Sequence, residues 1–513
     1  MPVNAQKTSR HLEVERKFDV VDSTVSPSFE GIAAVTRVDK PPTQSLDATY
    51  FDTPTQDLAR NKITLRRRTG GPDAGWHLKL PAGPDARTEI HAPLTSGPAE
   101  HDTVPSELRD VVLAIVRSKS LEPVARITTE RQTQVLYGAE GTALAEFSND
   151  RVTAWSASAS DNPGSQPAEQ EWREWELELI KGTESKETNG TADTELLSRL
   201  SNRLLDAGAA PAGHASKLAR VLGTTAQSKA AEPPADPVHR AVKEQIDELL
   251  LWDRAVRADA YDAVHQMRVT IRKIRSLLAD SHESFGSSDD AGILDELREL
   301  SNVLGAARDA EVLAERYQLA LDKLPPELVR GPVRERLVEG ARHRYQSGLR
   351  RSLIAMRSQR YFRLLDALDA WVADTTASGG EAAPITIDAA YKKVRKAAKA
   401  AAEVASGDEQ EHDDALHRIR KRAKRLRYTA AATGATRVSE QAKVIQTLLG
   451  DHQDSVVSRE HLSHQAEAAH AAGEDTFTYG LLYQHEADVA RSSRRQLEPA
   501  LRKLYKSVRK LSS

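Results

Sequence analysis

Short segments in which apolar and polar residues alternate fill the first part of the chain. The alternation is visible in residues 12–20, 63–68, 76–80, 142–147 and 172–180. Strands with one dry and one wet face produce this period of two, and glycine and proline separate them. Many antiparallel strands within roughly two hundred residues favour a closed barrel or a sandwich. Two helices are predicted among them, over 106–118 and 194–207.

A different pattern begins near residue 237. Long segments rich in Ala, Leu, Arg, Glu and Lys have a period of 3.6, which predicts helices. Breaks in this pattern fall near 286–290, 325–332, 373–384 and 405–413. The sequence therefore predicts an α+β protein with a β domain at 10–222, a linker at 223–236 and a helical domain at 237–510. Residues 156–170 and 182–193 are predicted to be mobile loops.

The helical half contains one pattern twice. Two sets of residues share the spacings three, four and three: His265, Arg268, Arg272 and Arg275, and then His417, Arg420, Lys424 and Arg427. After each set come Leu-Gly and, four residues past the glycine, an aspartate: Leu304-Gly305 with Asp309, and Leu449-Gly450 with Asp454. We infer two related helical bundles, at about 237–375 and 385–510.

Composition removes several classes of function. The 513 residues include no cysteine, which excludes disulfides, thiolate metal sites and thiol nucleophiles. Basic and acidic side chains number 72 and 75, so the net charge of −3 does not identify a partner. Residues 1–10 have no apolar segment typical of a signal peptide, and no apolar run approaches the ~18 residues of a membrane span. We expect a cytoplasmic protein without a membrane partner.

Charged residues follow the period of two in the β half. Glu13, Glu15 and Lys17 alternate on one strand; taken alone, they are typical of a solvated strand face. Other strands repeat the pattern with Arg66 and Arg68, Lys79, Arg87 and Glu89, Arg131, and Glu174, Glu176 and Glu178. Burying unpaired charges costs several kcal/mol per group, so a charged barrel interior must hold water or a charged ligand. A polyanion bridged to the carboxylates by Mg²⁺ or Mn²⁺ and held by the cations satisfies both signs.

These segments resemble the CYTH family, also called triphosphate tunnel metalloenzymes. The resemblance covers about 10–222 and rests on Glu13-x-Glu15-x-Lys17, Tyr50-Phe51-Asp52-Thr53, Leu65–Arg68, Lys79, the Glu174/Glu176/Glu178 strand and Ser216-Lys217. It implies an eight-stranded antiparallel tunnel that hydrolyses inorganic or thiamine triphosphate or cyclises ATP.

The resemblance also implies roles for individual residues. Metal ligands would be Glu13, Glu15, Asp150, Glu174, Glu176 and Glu178. Phosphates would be held by Lys17, Arg66, Arg68, Lys79, Arg87, Arg131 and Lys217. A water molecule would attack in line with the leaving phosphate, and Lys17 would orient or deprotonate it. Deprotonation by Lys17 requires a lowered pKa.

Each repeated set in the helical half lies on one helix face. A basic face is most often solvated, and nucleic acid is a second possibility; the lack of interleaved aromatic residues disfavours it. Metal binding by His265 and His417 also stays open. The repeats resemble the CHAD domain, which implies two pseudo-symmetric four-helix bundles around a basic channel for inorganic polyphosphate. The residues implied to bind it are His265, Arg268, Arg272, Lys273, Arg275, Arg308, His417, Arg420, Lys421, Lys424 and Arg427.

The leading interpretation is a metal-dependent hydrolase of inorganic triphosphate whose helical domain binds polyphosphate, with association with polyphosphate granules as an extension. One alternative is a polyphosphate-binding protein with an inactive tunnel. Another is a thiamine or nucleoside triphosphatase or an adenylate cyclase, in which Trp76, Trp155, Trp172 or Trp175 would stack on the organic group; packing in the strand core is the commoner role of such residues. The oligomeric state stays open.

Overall fold

The structure, a computed structural model, describes residues 8–83, 85–94, 103–156, 169–180, 190–223, 237–285, 289–373, 387–404 and 409–511. The chain divides into two compact units. The tunnel unit comprises residues 1–263 and 356–375, and the helical unit comprises 264–355 and 376–513. Apart from Gly223, the predicted linker lies outside the described residues.

The tunnel unit contains a closed antiparallel barrel of eight strands. The sheet order is β1-β6-β5-β4-β3-β7-β8-β9, and β9 pairs with β1 to close it. Two short strands lie at its margin, where β2 pairs with β7 and β10 with β1. The strands are β1 (Ser9–Val20), β2 (Arg37–Asp39), β3 (Gln44–Asp52), β4 (Thr64–Thr69), β5 (Gly75–Pro81), β6 (Ala86–Ala92), β7 (Glu122–Tyr137), β8 (Ala143–Ser156), β9 (Glu169–Leu179) and β10 (Ala210–Pro211).

The hydrophobic core of this unit lies outside the barrel, between the strands and short helices. Phe18, Trp175 and Leu177 pack against Leu200 and Leu204 of one helix. Two further clusters join other strands to the remaining helices in the same way. The covering helices are α1 (Asp57–Arg60), α2 (Ser106–Val111), α3 (Leu113–Val116), α4 (Gly190–Asp206) and α5 (Lys217–Val221). Because alternate residues face opposite sides of a strand, this outer core leaves the polar positions inside.

Two long helices, α6 (Pro237–Arg257) and α10 (Gln359–Ala373), also belong to the tunnel unit. On α6, Asp253 accepts hydrogen bonds from Arg257 and from the Tyr361 hydroxyl. Asp110 on α2 pairs with Arg257 at 3.2 Å. Arg117, which follows α3, pairs with two aspartates of α10. These ion pairs tie α6 and α10 to the barrel's covering helices.

The helical unit is built from α7 (Ala263–Phe285), α8 (Asp289–Asp322), α9 (Gly340–Met356), α11 (Ile387–Val404), α12 (Glu409–Ala432), α13 (Thr436–Ala471) and α14 (Phe477–Arg509). A 3₁₀ turn at Pro326–Leu328 and a π-helix at Glu335–Glu339 lie between α8 and α9. The helices α11 to α14 share one apolar core and form a four-helix bundle. None of the described helices combines the length and apolar character that a bilayer crossing requires.

The repeated motif corresponds to repeated geometry. A Cβ built on Gly305 of α8 would lie 3.5 Å from the Arg268 guanidinium, and one on Gly450 of α13 would lie 3.5 Å from that of Arg420. In both repeats the glycine gives the arginine of the preceding helix room to lie across the next one. The structure thus confirms the predicted fold class, a barrel followed by a helical region with an internal repeat.

Three local predictions need correction. The helix expected over 106–118 is two short helices, since Val112 separates α2 from α3 and Arg117 has a φ of +57°. Residues 169–170 pair in β9, and residues 190–193 begin α4, so these parts of the predicted loops are regular structure. The other residues of those loops, except Ser156 at the end of β8, lie outside the described residues.

Candidate functional site

The barrel encloses a charged cavity of about 370 Å³. Its lining follows the alternation of the strands: His11, Glu13, Glu15 and Lys17 all project inward from β1. Among the described residues, seven cationic and seven carboxylate side chains line it: Lys17, Arg66, Arg68, Lys79, Arg87, Arg131 and Lys217, with Glu13, Glu15, Asp73, Glu89, Glu146, Glu176 and Glu178.

Three carboxylates surround one ammonium at the β8–β9 wall. Lys217 Nζ lies 2.8 Å from Asp150 Oδ2, 2.7 Å from Glu174 Oε1 and 2.8 Å from Glu176 Oε1. Register places Asp150 opposite Glu174 on the neighbouring strand, and Lys217 reaches them from the first turn of α5. Although burial opposes it, the three carboxylates raise the pKa of Lys217 well above its ordinary value. The same oxygens form a group with the spacing of metal ligands.

Arg131 joins this network from β7. Its Nε and Nη2 lie 2.8 and 2.7 Å from the two oxygens of Asp150 and form a bidentate salt bridge. Its Nη2 also lies 2.5 Å from Glu176 Oε2. Asp150 contacts the cavity-lining residues Lys217 and Arg131, and Glu174 contacts Lys217.

Lys17 lies between two carboxylates, 2.8 Å from Glu15 and 2.5 Å from Glu176. Burial by itself would lower the pKa of Lys17, but these two carboxylates outweigh burial and raise the pKa above its ordinary value. The lowered pKa that deprotonation of water requires is therefore absent from this arrangement. The raised pKa makes Lys17 a charged donor in this arrangement, and of the two expected roles this one fits the orientation of a water molecule.

Several carboxylates lie close to one another around Glu13 in the cavity. Burial, together with Glu89 and Glu178, raises the pKa of Glu13 to about 8, although Lys79 lies 2.6 Å from its Oε2. Burial and the neighbouring Glu15 also raise the pKa of Glu178 to about 7. Carboxylates that raise one another's pKa in this way are suited to a hard divalent cation, which replaces the protons.

The remaining predicted cations line the cavity from two strands, β4 and β6. Arg66 on β4 donates to the Tyr50 hydroxyl at 3.3 Å, and Arg68 pairs with Asp73. Arg87 on β6 donates to the carbonyl oxygen of Ala215 at 2.9 Å and lies 3.7 Å from Glu15. The structure therefore brings all the predicted phosphate-binding residues of the tunnel to one cavity.

Sequence reasoning missed a histidine–carboxylate group at one end of the cavity. His77 Nδ1 lies 2.6 Å from Glu89 Oε1, and its Nε2 lies 3.0 Å from the carbonyl oxygen of Asp73. His11 lies beside the same glutamate. Alternation with Lys79 on β5 is the signal that could have identified His77, whereas Glu89 was recognised by its alternation with Arg87 but was given no role.

The helical unit carries a cluster of cations, referred to here as the basic cluster: Arg268, Arg272, Arg275, Arg420, Lys424 and Arg427. Burial, and then Arg272, Arg420, Arg427 and Arg275, lowers the pKa of Lys424 to about 8. Burial and Arg268 likewise lower the pKa of Arg272. Cations from both repeats therefore face each other, as expected of a site for an extended anion.

Other predicted residues of the helical unit surround the basic cluster. Burial, with Lys421 and Arg420, lowers the pKa of His417. Arg308 donates to Glu311 at 2.7 Å, and Asp309 lies 3.6 Å from Arg268. His265 lies on α7 one turn before Arg268, and Lys273 is exposed on the same helix.

Comparison with known proteins followed the same division of the chain. The model of the CYTH domain matches residues 11–204, and that of the CHAD domain matches 240–463. Uncharacterized protein Rv2226 of Mycobacterium tuberculosis is 71% identical over 519 residues, with 99% of each chain covered.

Two solved structures show more distant similarity. A CHAD domain from Ricinus communis is 23% identical with a TM-score of 0.42, and the match covers 52% of this chain and 90% of that one. A Hippeastrum protein described as a putative adenylyl cyclase with a dominant triphosphatase activity is 16% identical with a TM-score of 0.24, and the match covers 41% of this chain and 94% of that one. Likenesses at this level say nothing about the activity of this chain. The two family matches and the full-length relative show that the chain belongs to the family of proteins in which a CYTH domain is followed by a CHAD domain.

Proposed function

We propose that the barrel hydrolyses inorganic triphosphate to pyrophosphate and phosphate with the aid of Mg²⁺ or Mn²⁺. One observation carries this proposal, the equal number of cations and carboxylates around the cavity. A polyanion entering alone would be repelled by the carboxylates, whereas a polyanion that carries divalent cations matches both signs. The CYTH assignment supports a triphosphatase or a cyclase in general.

The residues divide by charge. Glu13, Glu15 and Glu178 would hold a divalent cation, with Asp150, Glu174 and Glu176 as a second carboxylate set. When bound, such a cation neutralises phosphate charge and polarises a phosphoryl oxygen. Lys17 stays protonated and orients the attacking water by donating a hydrogen bond. The residues that would hold the phosphates and stabilise charge on the leaving pyrophosphate are Arg66, Arg68, Lys79, Arg87, Arg131 and Lys217.

The cavity lining supports an inorganic substrate over an organic one. Among the described residues that line it, Tyr50 is the single Phe, Tyr or Trp side chain. Trp76 and Trp175 pack in the outer apolar clusters, where they have no access to the cavity. A thiazolium or a nucleobase would therefore find little surface for stacking.

Phosphate release from inorganic triphosphate, ATP and thiamine triphosphate tests the proposal, with Mg²⁺, Mn²⁺ or EDTA. We expect fast, EDTA-sensitive release from inorganic triphosphate and loss of at least about 100-fold in Glu176→Gln. Glu171→Gln, on the same strand but exposed, is the matched control. Faster release from ATP or thiamine triphosphate would overturn the substrate assignment, and no release would leave a polyphosphate-binding protein with an inactive tunnel.

We also propose that the helical unit binds inorganic polyphosphate through the basic cluster. The lowered pKa of Lys424 among four arginines supports this, since an anion would relieve the crowding of like charges. Arg272→Gln with Arg420→Gln should abolish polyphosphate binding and spare triphosphate hydrolysis, whereas Glu176→Gln should do the reverse. Arg342→Gln, exposed on α9, is the control. If both changes weakened polyphosphate binding and triphosphate hydrolysis equally, the assignment of the two activities to separate units would be refuted.

A further inference from the structure

One imidazole and two carboxylates converge at the end of the tunnel. His11 Nε2 lies 3.2 Å from Glu89 Oε2 and 3.5 Å from Glu13 Oε1. Strand register brings them together, because His11 lies opposite Glu89 on β6 and Glu13 follows two residues later on the same face of β1. The three ligand atoms lie within 4.8 Å of one another.

The second oxygen of each carboxylate is already held. Lys79 Nζ binds Glu13 Oε2 at 2.6 Å, and His77 Nδ1 binds Glu89 Oε1 at 2.6 Å. His77 is itself fixed by the Asp73 carbonyl oxygen at 3.0 Å. Metal-binding carboxylates and imidazoles are usually oriented by such outer partners, which an accidental ion pair does not need. Both carboxylates therefore present their remaining oxygen toward His11.

We propose that His11, Glu13 and Glu89 bind a divalent transition-metal ion of the Mn²⁺, Fe²⁺, Co²⁺ or Zn²⁺ class. Two ligand atoms each about 2.1 Å from one ion lie about 3.2–3.5 Å apart at angles of roughly 100–113°, and the two His11 distances fall in this range. An imidazole ligand favours these ions over Mg²⁺, which takes oxygen ligands. The His11 side chain is 52% exposed, so an ion has a path from solvent and open positions for water or phosphate oxygens.

Manganese binding to the full-length protein tests the site without any substrate. Mn²⁺ titration followed by electron spin-echo spectroscopy should show nitrogen coupling from a bound imidazole. His11→Gln should remove that coupling and weaken Mn²⁺ binding at this site by about 10–100-fold. His470→Gln, exposed on α13, should change neither quantity. Because His11 is half-exposed, we expect both variants to keep the wild-type circular dichroism spectrum.

Two outcomes would overturn the inference: no nitrogen coupling in the wild-type protein, or the same coupling and affinity in His11→Gln. The inference rests on the proposed metal dependence of the tunnel, but its failure can be distinguished from failure of the proposed function. Mg²⁺-dependent release of phosphate without nitrogen coupling would refute this site alone. Nitrogen coupling that depends on His11, in a protein that releases no phosphate, would support the site and refute the proposed hydrolysis.

Discussion

Replacement of Lys217 by methionine removes one charge from the centre of three buried carboxylates. Methionine has a similar length, so the change acts on the charge more than on packing. The side chains of Lys217 and Asp150 are 8% and 0% exposed, so water replaces the ammonium only in part. The prediction is that Lys217→Met destabilises the tunnel unit and creates a site that a divalent cation can fill.

The expected loss follows from what each carboxylate retains. Asp150 keeps both bonds to Arg131, and Glu176 keeps its contact with Lys17 at 2.5 Å. Glu174 keeps a hydrogen bond from Trp172 at 2.6 Å. Removing one partner of a buried ion pair costs about 3–5 kcal/mol, and because these contacts remain we expect the free energy of unfolding to fall by about 3 kcal/mol. If the free energy of unfolding falls by about 3 kcal/mol per molar urea, the urea concentration at the midpoint of unfolding decreases by about 1 M.

Tryptophan fluorescence reports this change in one unit. All six tryptophans lie in the tunnel unit, at positions 76, 155, 172, 175, 252 and 371. Lys119→Met is the matched control, because Lys119 also pairs with a carboxylate, at 2.7 Å from Asp57, but at the surface. We expect Lys119→Met to lower the free energy of unfolding by less than about 1 kcal/mol. Equal urea midpoints for the two variants would refute the central role of Lys217.

The metal part of the prediction has its own measurement. In Lys217→Met, Mn²⁺ at about 100 times its Kd should raise the free energy of unfolding by about 2.7 kcal/mol, and EDTA should remove this gain. The wild-type protein should gain less from this carboxylate group, because the ammonium competes for the same oxygens. A gain equal to that of the wild type would show that Asp150, Glu174 and Glu176 do not bind the ion.

Three further predictions concern other parts of the chain. In Gly348→Ala, the new Cβ would lie 2.7 Å from the backbone nitrogen of Ala307. We therefore expect the free energy of unfolding of the helical unit, followed by circular dichroism, to fall by about 1–3 kcal/mol. Tyr361→Phe removes the 2.9 Å hydrogen bond to buried Asp253. It should lower the free energy of unfolding of the tunnel unit, followed by tryptophan fluorescence, by about 1–3 kcal/mol. Polyphosphate affinity, measured by calorimetry, should fall from pH 7 to pH 9, because Lys424 has a pKa of about 8 and loses its charge as the pH rises through that value.

Matched variants control these experiments. Gly305→Ala meets only the end of the Arg268 side chain, at 3.5 Å, and should cost less than about 1 kcal/mol. Tyr261→Phe, at an 84% exposed position of the tunnel unit, controls for the loss of a hydroxyl in Tyr361→Phe. Lys424→Arg should retain affinity up to pH 9, since arginine keeps its charge there. A wild-type pH dependence that persists in Lys424→Arg would assign the titration to another group.

The sequence predicted the barrel because its strands must separate two environments. Charged residues at period two, such as Glu13, Glu15 and Lys17, indicated an interior that no apolar core could fill. The sequence pattern also contained the helical repeat, since Gly305 and Gly450 recur at fixed distances from the arginines that they accommodate. Both features depend on spacing along the chain, which a single sequence records.

The cross-strand pairings could not be predicted in the same way. Which carboxylate faces which cation depends on register, as in the opposition of Lys17 to Glu176 and of His11 to Glu89. The direction of the Lys17 pKa shift depends on this pairing. Deprotonation of water by Lys17 would require a lowered pKa, whereas the fold supplies two carboxylates, which raise it.

The two anion sites differ in how their charges are balanced, and this difference leads to a last prediction. In the tunnel, cations such as Lys217 and Arg131 are paired with carboxylates, so an entering polyanion needs divalent cations to offset them. In the basic cluster, burial and then the neighbouring Arg272, Arg420 and Arg427 lower the pKa of Lys424. EDTA should therefore stop triphosphate hydrolysis but leave polyphosphate binding within about twofold of its original affinity. High salt should have the opposite effect, weakening polyphosphate binding most. Polyphosphate binding that required a divalent cation would mean that carboxylates such as Asp454 contribute to that site, contrary to the charge distribution described for the basic cluster.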